Sequence, residues 1–280
     1  MKDNVLPDFL GIGAMRCGTT LLYKILKSHN EIFVPRIRKE VHFFDINYKK
    51  GLKWYKSFFP SKKDARKYKA IGEITPRYIF QENVPRKVAK VLPDAKFIVI
   101  LRNPVNRIYS HYKLGLSVSK KNISFEDFIK SVNEPFRRGL YSEQLKNWMK
   151  HFPRERFLIL IFEEMLDNPC KALKQIAEFL NVDKNKFDVG LFESKSNYSY
   201  EPRFKKLYLI GFKFKNFLLR NDLDYMYSIV RKGKHLFRIV GKKADNIDAD
   251  TRKKLYMMYE EDINELEKML DINLSRWKIK

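Results

Sequence analysis

Gly13 and Gly18 stand in Gly-x-x-x-x-Gly spacing inside GIGAMRCGTTLLYKIL, residues Gly11 to Leu26. In a strand–loop–helix setting, the backbone N–H groups from Arg16 through Cys17, Gly18 and Thr19 to Thr20 converge on an anion. The helix N-terminus adds its partial positive charge. Thr19 and Thr20 supply hydroxyl donors and Arg16 a full cation. An ATPase-type phosphate loop places a lysine directly after the second glycine; here Thr19 occupies that position. The spacing alone is equally that of a tight strand-to-helix turn, so the loop needs partners elsewhere in the chain before it implies a nucleotide.

Two further stretches offer partners. RIRKEVHFFD, Arg36 to Asp45, places Glu40 and His42 in a basic and aromatic setting. A carboxylate there can act as a general base whose protonation is tuned by Lys39 and by burial against Phe43 and Phe44. Taken singly, Glu40 reads as a surface acid and His42 as a packed side chain. In KFIVILRNPVNRIYSHY, Lys96 to Tyr112, a strand ends at Arg102 and a helix starts at once. Ligands of open α/β sheets bind beyond the carboxyl ends of strands. A guanidinium there can fork onto a phosphate, and Ser110, about two turns into the helix, can donate to the same anion.

The elements that must hold these residues are legible as apolar runs. Phe9–Ile12, Ala70–Ile71 opening into GEITP, Phe97–Leu101 and Phe157–Phe162 read as strands buried on both faces, as in a parallel sheet. Helices are expected over Thr19–Ser28, from Asn103-Pro104 toward Leu116, after the capping pair Ser124 and Asp127, and over Tyr141–His151, Pro169–Leu180 and Asp250–Leu270. Strands alternating with helices predict an α/β fold. The expected organisation is one domain over residues 1–280, with an α/β core to 200 and a basic helical part from 201 to 280.

Composition narrows the partners. With 280 residues and 44% hydrophobic content the chain is globular rather than disordered. Cys17 and Cys170 are too few for a disulfide scaffold and fit a reducing compartment. The N-terminal residues lack a signal-peptide core, and no stretch reaches membrane-span length, so a cytoplasmic protein is expected. Net charge is +24, which favours anionic partners. Between Arg203 and Lys243 twelve Lys and Arg face only Asp222 and Asp224, interleaved with aromatic and aliphatic residues. That pattern suits an acidic polymer or the inner face of a membrane, and equally an amphipathic helical region whose long basic stems cover apolar surface. The five histidines and two cysteines lack ligand-type spacing, so no metal is expected.

Together, the three motifs resemble the sulfotransferases that use 3′-phosphoadenosine 5′-phosphosulfate, most closely the heparan sulfate sulfotransferases and related bacterial enzymes. GAMRCGTTLLYKIL is similar to their 5′-phosphosulfate loop, LRNPVNRIYSHY to their 3′-phosphate motif, and KEVHFFD to the segment carrying the acceptor-activating Glu. GEITPRY, GLYSEQLKNWMKHFP and DINLSRW also resemble family segments, so the likeness covers nearly the whole chain. It implies a P-loop-like three-layer fold and sulfonate transfer to a hydroxyl or amine of a carbohydrate or glycoconjugate, acidic or lipid-linked, with no metal and no nucleic acid. It implies Glu40 as base, with Arg16 and His42 as further catalytic residues. The donor is expected to lie against Arg16, Cys17, Gly18, Thr19, Thr20, Arg102 and Ser110, and against Lys195 and Arg203 of a late loop. The acceptor is expected near Glu40, His42, Asp45, Thr75 and Tyr141. Two positions depart from the family pattern. Arg16 stands where Lys is usual, and Ile74 stands where the glycan 3-O-sulfotransferases carry a Lys near the reacting groups.

Two rival readings explain less. A P-loop kinase or ATPase needs the missing lysine and an acid closing a strand, for which FLILIFEE offers only Glu163 and Glu164. A non-catalytic protein binding acidic polymers or membranes accounts for the charge and leaves the three ordered motifs unexplained.

Overall fold

The computed structural model describes residues 3–118, 123–131, 133–193, 205–233 and 247–278. Five strands form one sheet: β1 (Phe9–Gly13), β2 (Ile32–Phe33), β3 (Ala70–Ile74), β4 (Lys96–Leu101) and β5 (Phe157–Ile161). Their order is β2-β3-β1-β4-β5 and every pairing is parallel. The uninterrupted apolar runs follow from this arrangement, because β1 and β3 are buried along their whole length. Phe9 pairs with Gly72 across the β1–β3 ladder. A side chain at Gly72 would meet the Phe9 ring at 2.4 Å, so this close approach requires glycine.

The helices are α1 (Thr19–Ser28), α2 (Gly51–Lys56), α3 (Lys62–Ala65), α4 (Val84–Val91), α5 (Pro104–Val118), α6 (Phe125–Ser131), α7 (Asn133–Arg137), α8 (Tyr141–Met149), α9 (Phe162–Asp167), α10 (Pro169–Leu180), α11 (Lys205–Arg220), α12 (Asp224–Gly233) and α13 (Ala249–Leu270). The α/β class and parallel sheet follow the sequence expectation. Helices α1 and α10 begin and end where expected. Three differences have local causes. Strand β2 is two residues long and carries too little pattern to be seen in the sequence. Phe162 starts α9 rather than ending β5. Helix α5 runs on to Val118. Its start is capped as the sequence implies: Asn103 Oδ1 accepts from the N–H groups of Val105 at 3.0 Å and Asn106 at 3.2 Å.

The sheet reverses its building direction at β1: the chain adds β3 on one side of it and β4 on the other. The carboxyl ends of β1, β3 and β4 therefore lie side by side, the usual ligand position in such sheets. Gly13, Ile74 and Leu101 end these strands, so the phosphate-type loop, Thr75 and Arg102 all emerge at one rim. Among the described residues no helix is long and apolar enough to cross a membrane.

Candidate active site

The loop between β1 and α1 is held by backbone. The Ala14 N–H donates to the Ile100 carbonyl at 2.8 Å, and the Thr75 N–H donates to that of Gly11 at 2.9 Å. Arg16 has φ of 71° and Gly18 has φ of 89°, both in the left-handed region. A Cβ at Gly18 would additionally meet the Phe162 ring at 2.5 Å, so glycine is required there. For Arg16 the same region is unfavourable, which marks a backbone held against its preference by its surroundings. No side chain caps the N-terminus of α1, and its first turn holds no acid. An anion can take that place.

The residues 86 and 94 positions beyond Arg16 converge on it. Arg16 Nε donates to Ser110 Oγ at 3.1 Å, and an Arg102 guanidinium N–H donates to the Arg16 carbonyl at 3.3 Å. Arg102 lies over the Phe162 ring at 5.0 Å, and its buried Nε has no hydrogen-bond partner among the described residues. Burial, and then the charges of Arg102 and Arg107, lower the pKa of Arg16. Arginines gathered beside a helix N-terminus fit a ligand with more than one phosphate.

Glu40 is linked to the first turn of α1 through Lys39. Its Oε1 accepts from Lys39 Nζ at 3.2 Å, and its Oε2 lies 3.3 Å from His42 Nε2. Lys39 Nζ also donates to Thr20 Oγ1 at 3.3 Å, so one ammonium joins the carboxylate to the phosphate-type loop. The other ring nitrogen of His42 is 2.9 Å from Asp45 Oδ2. Burial pushes the Glu40 carboxyl up, but His42 and Lys39 outweigh it and leave its pKa at about 2. Burial opposes charge on His42 too; the hydrogen bonds that its ring donates to Asp45 and Glu40 prevail and raise it to about 9. Glu40, His42 and Asp45 thus form a carboxylate–imidazolium–carboxylate row at neutral pH.

A buried acid sets the shape of this segment. Glu73 of β3 is fully buried, and burial raises its pKa. It accepts from Thr75 Oγ1 at 2.7 Å, Tyr55 OH at 2.9 Å, Tyr78 OH at 3.0 Å and the Val41 N–H at 3.3 Å. Tyr78 OH in turn accepts from the Phe43 N–H at 2.8 Å. Within that frame His42 adopts φ of 56°, and Phe43–Asn47 forms one wide helical turn that returns Asp45 to the imidazole. The sequence reading assigned Glu73 no role; the signal was an acid inside the otherwise apolar run AIGEI.

A family model described as the sulfotransferase domain matches residues 6–269. The chain belongs to the sulfotransferase family. Human heparan sulfate glucosamine 3-O-sulfotransferase 6 is 32% identical over 186 residues, covering 64% of this chain and 53% of that one. The bifunctional heparan sulfate N-deacetylase/N-sulfotransferase of Drosophila melanogaster is 31% identical over 208 residues, covering 63% of this chain and 20% of that one. The chain thus spans about half the length of its 3-O-sulfotransferase relative. The sulfotransferase from Alicyclobacillus acidocaldarius has the same fold, with a TM-score of 0.70 and 22% identity, covering 98% of this chain and 99% of that chain.

Two residues expected near the acceptor, Tyr141 and Thr75, are without exposed surface in this sulfotransferase domain. Tyr141 is fully buried; its hydroxyl donates to the Arg102 carbonyl at 2.9 Å and lies 3.5 Å from Cys17 Sγ. It braces the loops that follow β1 and β4. Thr75 is fully buried as well, donating to Glu73 and accepting from the His42 N–H at 3.4 Å. It positions the His42 backbone. The Cys17 side chain is also buried, and burial raises its thiol pKa to about 11, so it is an uncharged packing group at neutral pH. Ile74 packs on Gly11 inside the sheet. Glu163 is engaged with protein partners, accepting from the Asn103 N–H at 3.2 Å and Trp277 Nε1 at 3.3 Å. Lys195 and Arg203 lie outside the described residues. Among the described residues no three His, Cys, Asp or Glu side chains are grouped to hold a metal ion.

Proposed function

We propose that this protein transfers a sulfonate group from 3′-phosphoadenosine 5′-phosphosulfate to a hydroxyl of a carbohydrate acceptor, with Glu40 as general base. The observation that carries this reading is the convergence of Arg16, Arg102 and Ser110 at one rim, with Lys39 joining Glu40 to Thr20 beside it. Arg102 and Ser110 would hold the 3′-phosphate. The α1 N-terminus, Thr19 and Thr20 would hold the 5′-phosphosulfate, with Arg16 meeting charge on the leaving bridging oxygen. The sulfur–oxygen bond to the phosphate breaks as the acceptor oxygen bonds to sulfur. The acceptor proton passes to Glu40, and adenosine 3′,5′-bisphosphate leaves.

A carboxyl with a pKa of about 2 is a weak base. His42 and then Lys39 hold it there; a sulfonate arriving beside Thr20 would compete for the Lys39 ammonium and relieve that part of the depression, while transfer of the proton to Glu40 also needs the His42 contact to weaken. The names of the relatives favour a glycan acceptor, and Lys49 and Lys53, close in sequence to the Glu40 segment, favour an acidic one. Unpaired Cys17 and Cys170 fit a reducing compartment, and the proposed setting is the cytoplasm.

The test is transfer of labelled sulfonate to a panel of unsulfated and partly sulfated glycans. Glu40→Gln is expected to lower turnover by ~100-fold or more, the low end for a positioned base, while binding of adenosine 3′,5′-bisphosphate persists. Near-normal turnover in Glu40→Gln removes Glu40 from the role. Absence of nucleotide binding in the unaltered protein overturns the whole reading.

A further inference from the structure

Helices α11 and α12 carry an exposed apolar surface that the reaction does not use. Ile210, Phe217, Tyr225 and Ile229 are 64%, 56%, 77% and 55% exposed, and Phe214 and Met226 stand exposed with them. Ile210, Phe214 and Phe217 follow helical spacing on α11, whereas Leu218 alone of that stretch turns fully inward. Residues 205–233 contain seven Lys and Arg and only two acids, Asp222 and Asp224.

Both acids are neutralised from within. Arg38, buried between the Trp54 and Phe58 rings, donates to both Asp224 carboxylate oxygens at 2.9 Å and to Asp222 at 3.4 Å. Lys50 Nζ donates to Asp222 at 2.6 Å. Among the described side chains, the helix pair thus presents exposed apolar groups together with exposed Lys213 and Arg220. Arg38 is two residues from Glu40, so this face is pinned to the segment that bears the candidate base.

We propose that α11 and α12 dock the protein on an anionic phospholipid surface, their aromatic and aliphatic side chains entering the headgroup region and their Lys and Arg meeting lipid phosphates. A soluble acidic polymer satisfies the charge and leaves the apolar side chains in water. A second copy would bring the same cationic face against it, in a chain of net charge +24. An anionic bilayer interface offers both chemistries within one helix diameter.

Co-sedimentation of the full chain with vesicles tests this independently of the sulfonate-transfer reading. Vesicles of phosphatidylcholine mixed with phosphatidylglycerol are expected to bind it, and phosphatidylcholine alone to bind it far less. The double variant Phe214→Glu, Phe217→Glu is expected to weaken binding at least about tenfold, given the apolar burial it forfeits. Its circular dichroism and its affinity for adenosine 3′,5′-bisphosphate are expected to be unchanged. Failure to bind the anionic vesicles, or full binding by the folded double variant, overturns the proposal. So does a sedimentation-velocity result in which the unaltered protein self-associates through this face and the variant is monomeric.

Discussion

A general base at neutral pH needs a conjugate acid weak enough to form and neighbours that keep the group aimed until the acceptor arrives. Glu40 is aimed by His42, and His42 by Asp45, whose side chain is 2% exposed. This row has a pH signature. The folded pKa of His42 is raised from 6.5 to about 9, so its contribution to stability is fully present below pH 6.5 and is lost as pH rises through about 9. Glu40 is shifted the other way, so its contribution is present above pH 4.5 and is lost as pH falls through about 2. Thermal unfolding of the native protein and of His42→Asn, compared across the alkaline range, is expected to show a gap that narrows between these two His42 values. A gap that stays constant through that range means His42 is not held as an imidazolium.

Among the elements, α8 and α13 explain how a late helix reaches Arg102 at the end of β4. Asp262 of α13 caps α8, accepting from the N–H groups of Tyr141 at 2.8 Å and Ser142 at 3.0 Å, and burial raises its pKa. That cap fixes Tyr141, whose hydroxyl holds the Arg102 carbonyl. Asp262→Ala leaves buried donors unpaired and is expected to cost about 1–3 kcal/mol, read as a lower denaturant midpoint. It is also expected to weaken adenosine 3′,5′-bisphosphate binding, and an unchanged midpoint would refute the cap. The Tyr141–Met149 helix itself was legible from its amphipathic pattern, and Asn103-Pro104 announced the start of α5. The partner of Tyr141 was not legible, because Asp262 lies 121 residues away and nothing local marks it.

For the whole molecule, the proposed nucleotide site at the rim predicts ligand-linked stability. Saturation with adenosine 3′,5′-bisphosphate at a hundred times its dissociation constant is expected to add ~2.7 kcal/mol to unfolding, seen as a raised Tm that a chelator leaves unchanged. No shift in Tm would mean the rim does not take this nucleotide. The sequence by itself determined the α/β class, four of the five strands and the principal helices. Buried parallel strands and capped amphipathic helices write their patterns into neighbouring residues, and so do the chemical types of Arg16, Glu40, Arg102 and Ser110. Only the tertiary structure decided that Lys39 bridges Glu40 and Thr20, that Glu73 shapes the His42 turn, that Tyr141 and Thr75 are buried, and that α11 and α12 leave apolar side chains in water. Those outcomes depend on which distant strands and helices share a rim, and hydrogen bonds across the sheet and between helices set that rim without a local trace in the chain.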